Sequence, residues 1–163
     1  MRPPYWRLPI ELSTTEQRIA QQIRRSKLFI FLREYRHEIF DESFQQELAS
    51  LYQESLRGHP PVAPALLALA TILQAYTGVS DDEVIEASIM DRRWQLVLGS
   101  VDMEEPPFSK GTLVGFRKRL LEANMAHRLV ERAIEVARKT GGFGSNSLLA
   151  ALDSSPLWAA ERY

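Results

Sequence analysis

Pro64-Ala65-Leu66-Leu67-Ala68-Leu69-Ala70-Thr71-Ile72-Leu73-Gln74-Ala75-Tyr76 decides the fold. Proline suits a first helical position, and alanine and leucine are strong helix formers. The stretch is apolar nearly all round a helix, and a helix without a polar face has to be enclosed by others. It therefore predicts a central core helix in a mainly α chain. Gly78 closes the helix, and Ser80-Asp81-Asp82-Glu83 opens the next, with Ser80 as cap and the acids at the positive end of the dipole.

Towards the C-terminus, Val84, Ile85 and Ile89, then Trp94, Leu96 and Leu98, supply apolar faces for one helix or for two short ones. Gly99 to Pro107 is an acidic, proline-containing loop. Ser109 caps a helix through Asn124 whose Leu113, Phe116 and Leu120 share one face, and a further helix spans Ala126 to Lys139 before Gly141-Gly142-Phe143-Gly144. Towards the N-terminus, Gly58-His59-Pro60-Pro61 ends a helix predicted over Glu42 to Leu56 and capped by Asp41. Lys27 to Ile39 is dense in apolar residues and reads as a helix buried on more than one face. Ser13-Thr14-Thr15-Glu16 is a capping box that starts a helix with Ile19, Ile23 and Leu28 as candidates for burial. Met1 to Leu12 carries three prolines and reads as an extended arm. The total is about seven helices.

Hydrophobic residues make up 45% and charged residues 25%, which places the chain among globular rather than disordered proteins. A formal net charge of −1 gives no overall field towards nucleic acid, so any such contact rests on local clusters. The absence of cysteine removes disulfides, thiol nucleophiles and cysteine-bound zinc. The longest apolar run, Ala65 to Ala70, is far short of the roughly 20 residues that span a bilayer, so no membrane partner and a cytoplasmic location are expected. The three histidines are widely separated and show no metal-ligand spacing.

Leu148 to Leu152, ending in Asp153-Ser154-Ser155-Pro156, reads as a short strand after a glycine-rich approach. It has no partner strand in the sequence, so 142–163 is expected to be loosely docked, as if a domain stopped part-way.

Three pieces in order carry a resemblance: the leucine-rich helix followed by Tyr76-Thr77-Gly78-Val79-Ser80-Asp81-Asp82-Glu83; Pro106-Pro107-Phe108-Ser109-Lys110-Gly111-Thr112-Leu113-Val114-Gly115-Phe116-Arg117-Lys118-Arg119-Leu120; and Leu152-Asp153-Ser154-Ser155-Pro156-Leu157-Trp158. Together they resemble the N-terminal region of bacterial insertion-sequence transposases of the DDE class. The resemblance implies a helical bundle with a helix-turn-helix-like part, ending in an incomplete first β-strand of a ribonuclease-H-like core. It divides the chain into an arm and leading helices (1–58), a transposase N-terminal helical domain (59–141) and the start of a truncated catalytic core (142–163). It also implies double-stranded DNA as partner, at the terminal inverted repeats of the element, and a possible homodimer.

The resemblance implies that Asp153 is the first of three catalytic carboxylates that hold Mg²⁺ in the full-length family. The second and third acids are absent here, so no catalysis is expected from this chain alone. Read without it, Asp-Ser-Ser-Pro is turn chemistry. The Ser109 to Asn124 helix is the DNA candidate: Lys110, Thr112, Gly115, Lys118, Arg119 and Glu122 tend outward, and Arg117 lies at the edge of the buried face. A small, basic surface after a capped turn suits a recognition helix, and an amphipathic helix with a solvated basic face competes with that reading. Arg92 and Arg93, then His127, Arg128, Arg132, Arg138 and Lys139, and the cluster Arg24, Arg25, Lys27, Arg33 and Arg36, are weaker candidates for a basic surface. An inactive remnant serving as a helical interaction or dimerisation module is the alternative.

Overall fold

In a computed structural model, which describes residues 3–52 and 62–158, the described residues form nine α-helices and one short 3₁₀ turn. They are α1 (Thr14–Gln22), α2 (Leu28–Ile39), α3 (Glu42–Ala49), α4 (Pro64–Thr77), α5 (Asp81–Met90), α6 (Arg92–Leu98), α7 (Lys110–Glu122), α8 (Ala126–Thr140) and α9 (Ser145–Asp153). The chain is mainly α, as the leucine-rich stretch predicts. Every residue of α4 from Pro64 to Ala75 is buried, and α2, α3, α5, α6, α7 and α9 all pack against it.

Local chemistry sets the helix boundaries. Ser13 Oγ accepts from the Glu16 amide (3.1 Å) while Glu16 accepts from the Ser13 amide (3.0 Å), and Ser80 and Glu83 repeat the exchange at the start of α5. Asp41 caps α3 and Ser109 caps α7. Gly78, Gly99 and Gly141 close α4, α6 and α8 at positive φ, where a side chain would be strained. Helix α3 is shorter than the sequence predicts. It stops at Ala49, where the Ser50 hydroxyl turns back on the Glu47 carbonyl and competes with the helical ladder. Leu56 and the Gly58 to Pro61 break lie outside the described residues.

The expected strand over Leu148 to Leu152 is helical here, within α9. The run is two alanines and three leucines, all strong helix formers, and Leu148 and Leu152, one turn apart, are both fully buried. With no second strand among the described residues to satisfy its ladder, the segment meets its backbone bonds internally as a helix. It is docked on α8 and α4 rather than loose, and its two leucines belong to the same apolar cluster as α2 through α8.

The expected arm is extended but bound. Gln45 brackets Trp6, accepting from its amide (2.8 Å) and donating to its carbonyl (3.2 Å). Arg33 donates to the Ile10 and Glu11 carbonyls and to Glu16, each at 3.0 Å. Arg36 donates to the carbonyls of Pro9 (3.0 Å) and Val97 (2.8 Å). These two arginines are 3% and 4% exposed, so they contribute no basic surface. Burial lowers the Arg36 pKa to about 10, which keeps it charged at neutral pH, and the carbonyls at the end of α6 supply the partial negative charge that it needs. Arg132 of α8 does the same for α2, donating to the Glu38 and Ile39 carbonyls.

Candidate nucleic-acid interface

Helix α7 lies against α4 and α5 through Leu113, Phe116 and Leu120, all fully buried. That placement fixes which side chains face outward. Lys110, Gly111, Lys118 and Arg119 are exposed, while Thr112, Gly115 and Arg117 are half-buried. The Thr112 amide donates to Ser109 Oγ (3.2 Å), so this threonine is part of the cap. Gly115 is mid-helix, where glycine costs about 1 kcal/mol relative to alanine. A Cβ there would lie 3.5 Å from Arg119 Nη1, an ordinary contact, so packing within the chain gives no reason for glycine. The Arg119 guanidinium lies over the Tyr52 ring at 4.5 Å.

Arg117 turns inward. Its guanidinium donates to both carboxylate oxygens of Asp81, at 2.7 and 3.1 Å, and to Gln74 Oε1 at 3.3 Å. Gln74 Nε2 in turn donates to Asp81 (2.8 Å) and to the Val79 carbonyl (3.3 Å). One arginine, one amide and one carboxylate thus tie α4, α5 and α7 together. Lys110 meets Asp82 beside them at 3.2 Å in an open pair. The acids of the α5 cap therefore serve both as dipole complements and as partners for α7. The sequence signal for this was a long cation at the margin of a buried face, which needs a partner, and two acids in one capped first turn.

The hydrogen bonds from Arg117 hold the Asp81 carboxyl below its usual range, against the opposing effect of burial. Glu16 and Asp91 are also lowered. Burial is the largest single effect and raises each, and the bonds and charge of Arg33 with the bonds from Ser13, and of Arg93 with the bond from the Trp94 amide, together outweigh it. A carboxyl with a depressed folded pKa contributes stability that is full above its unfolded pKa, about 4 for Asp and Glu, and lost as pH falls through the folded pKa. Stability should hold above about pH 5 and drop steeply below about pH 4. Asp81→Asn should flatten part of that drop and cost about 1–3 kcal/mol near neutrality, since it breaks a charge-assisted pair. Denaturant unfolding at a series of pH values checks this; an unchanged acid limb in Asp81→Asn would contradict it.

Asp153, the last residue of α9, is exposed on a groove of about 770 Å³ that also touches His127, Glu131, Glu135, Arg138 and Lys139 of α8. No group of three histidine or acidic side chains among the described residues is arranged to hold a metal ion. A two-metal site needs several carboxylates around it, so this donor set does not fit the Mg²⁺ pair that the resemblance implies, and no step is derived through it.

A family model described as a transposase domain (DUF772) matches residues 14–119. The chain belongs to this family. No curated protein and no solved structure matches it. The matched part of this transposase domain runs from α1 to Arg119, so it contains the whole Gln74–Asp81–Arg117 tie, while α8, α9 and Asp153 follow it. Of the weaker basic candidates, Arg93 pairs with Asp91 (2.8 Å), Arg128 with Glu47 (3.3 Å), and Arg132 is held as described; Arg24, Arg25, Lys27, Arg92, His127, Arg138 and Lys139 are exposed. Among the described residues no helix is long and apolar enough to cross a membrane.

Proposed function

We propose that this transposase domain binds duplex DNA at the terminal inverted repeats of an insertion sequence, with α7 as the helix that meets the duplex. The observation that carries the reading is Gly115, a mid-helix glycine without an internal packing reason, on the same helix as exposed Lys118 and Arg119. A glycine there lets a foreign backbone approach closely while the two cations take phosphates. Gly111 and the capped start of α7 keep the approach smooth. Arg117 acts as a positioning residue, fixing the roll of α7 through Asp81. Lys110 can exchange Asp82 for a phosphate, because an exposed pair holds its partner by only about 0–1 kcal/mol. On the finer assignment to the DDE class, Asp153 is the first of its catalytic acids.

The test is binding of the purified chain to element-end duplex and to unrelated duplex between about 50 and 200 mM salt. Lys118→Ala with Arg119→Ala should weaken binding and make the slope of log affinity against log salt shallower by about 2, roughly 0.9 per phosphate contact. Gly115→Ala should fold at least as well as wild type and bind less tightly. The stability cost of Lys118→Ala should stay within about 0.5 kcal/mol, as for surface sites, and Arg119→Ala adds the loss of its Tyr52 stack, about 0.5–1 kcal/mol. Unchanged affinity and slope in the double variant would remove α7 from the interface and leave a helical interaction module.

A further inference from the structure

The cations of α7 are partly spent. Of its four, Arg117 and Lys110 already face Asp81 and Asp82. A second surface is less compensated. Residues 17–33 hold five cations, Arg18, Arg24, Arg25, Lys27 and Arg33, and no carboxylate. Arg33 turns inward to Glu16, which leaves four exposed, and none of these four forms an ion pair with a described residue.

The turn that presents them has a defined conformation. Ser26 sits at φ +57°, the Phe29 amide donates to the Ser26 carbonyl (3.2 Å), and Ile23 packs against the core. Helix α6 is brought to the same place: it packs on α1 and α2, and the Arg93 guanidinium lies over Phe29 at 5.0 Å. Exposed Arg92 therefore starts its helix beside the turn, and Gln21 and Gln22 add uncharged donors. In a chain of net charge −1, this gathers five exposed cations from two separate stretches.

We propose that the Arg24-Arg25-Ser26-Lys27 turn, with Arg18 and Arg92, is a phosphodiester-binding surface that takes the backbone of the same duplex. The inference rests on the DNA-binding reading above. Its chemistry is that of phosphate contact: several cations and amide donors, no carboxylate within 17–33, and Asp91 beside Arg92 already bound to Arg93. The exposed side chains of 17–33 include no large apolar group, which sets the surface apart from membrane-inserting helices and from protein interfaces built on aromatic anchors. Helix α5 separates the two surfaces, with Asp81 at its start bound to Arg117 and Asp91 just past its end bound to Arg93. Ten residues of helix are about 15 Å long, less than one duplex turn of about 34 Å.

The experiment measures salt-dependent affinity of the full chain for duplex DNA, alongside its melting temperature. Arg24→Gln, Arg25→Gln and Lys27→Gln together should weaken binding and lower the salt slope by about 2.7, while Arg24→Lys with Arg25→Lys should keep the wild-type slope. Arg92→Gln, on a separate element, repeats the test with an expected loss of about 0.9 should the triple variant melt early. A wild-type slope in both the triple variant and Arg92→Gln, with Lys118→Ala/Arg119→Ala still lowering it, would overturn this surface and leave DNA binding to α7. Failure of the wild-type chain to bind duplex would overturn both readings. Preference of the wild-type chain for vesicles of anionic lipid over duplex would overturn the phosphodiester assignment.

Discussion

A chain carrying both Leu148→Ala and Leu152→Ala is expected to lose most of its stability. Both leucines are fully buried, and they are how α9 docks on α8 and α4. Each truncation should cost about 2–5 kcal/mol, the lost transfer energy plus the cavity left behind. The two are neighbours on one helical face, so the costs couple rather than add. Against a total of about 5–15 kcal/mol for a domain, the loss is a large share. The effect reaches beyond α9, since these leucines join the apolar cluster that contains α4. Urea unfolding checks it. A midpoint within error of wild type would return residues 142–163 to the loosely attached segment that their composition first suggests.

Phe116→Ala should destabilise by about 3–5 kcal/mol, because the ring is fully buried between α7 and the helices beneath it. The contrast with Lys118, two residues on, is the point of the measurement. If Phe116→Ala unfolds the domain while Lys118→Ala leaves its stability intact, any DNA defect of the second variant belongs to the surface. Phe116→Leu, which keeps most of the volume, should recover much of the loss. A Phe116→Ala cost below about 1 kcal/mol would mean that α7 can repack or detach, and the roll assigned to its outward face would fail with it.

Helix positions, caps and the buried faces of α4 and α7 were legible because each rests on local rules: capping boxes at Ser13 and Ser80, proline at the start of α4, and the spacing of Leu113, Phe116 and Leu120. What failed was of two kinds. At Leu148 to Leu152, a short apolar run fits a strand or a buried helical turn equally well by periodicity, and the contacts with α8 and α4 decide. Arg33, Arg36, Arg117 and Arg132 were counted with the basic surface because nothing local distinguishes a solvated arginine from one bound to distant carbonyls. The Arg36 bonds span 27 and 61 positions, and the Arg117 bond spans 36. The candidate site is accordingly split: Lys118 and Arg119 face outward as read, while Arg117 belongs to the framework behind them.

The split ligation of Arg36 also orders events during synthesis. Its first acceptor, the Pro9 carbonyl, leaves the ribosome before it, but its second, Val97, follows 61 residues later. At roughly 5–20 residues per second this is a wait of about 3–12 s, during which the guanidinium has no internal substitute for water at that site. Burying it early would strand a charge, so the nascent N-terminal segment gains little by settling on α2 before α6 is made. The arm is made before α2 but is among the last segments to be fixed, which leaves Trp6 to Glu11 open to proteases and chaperones until α6 has been made.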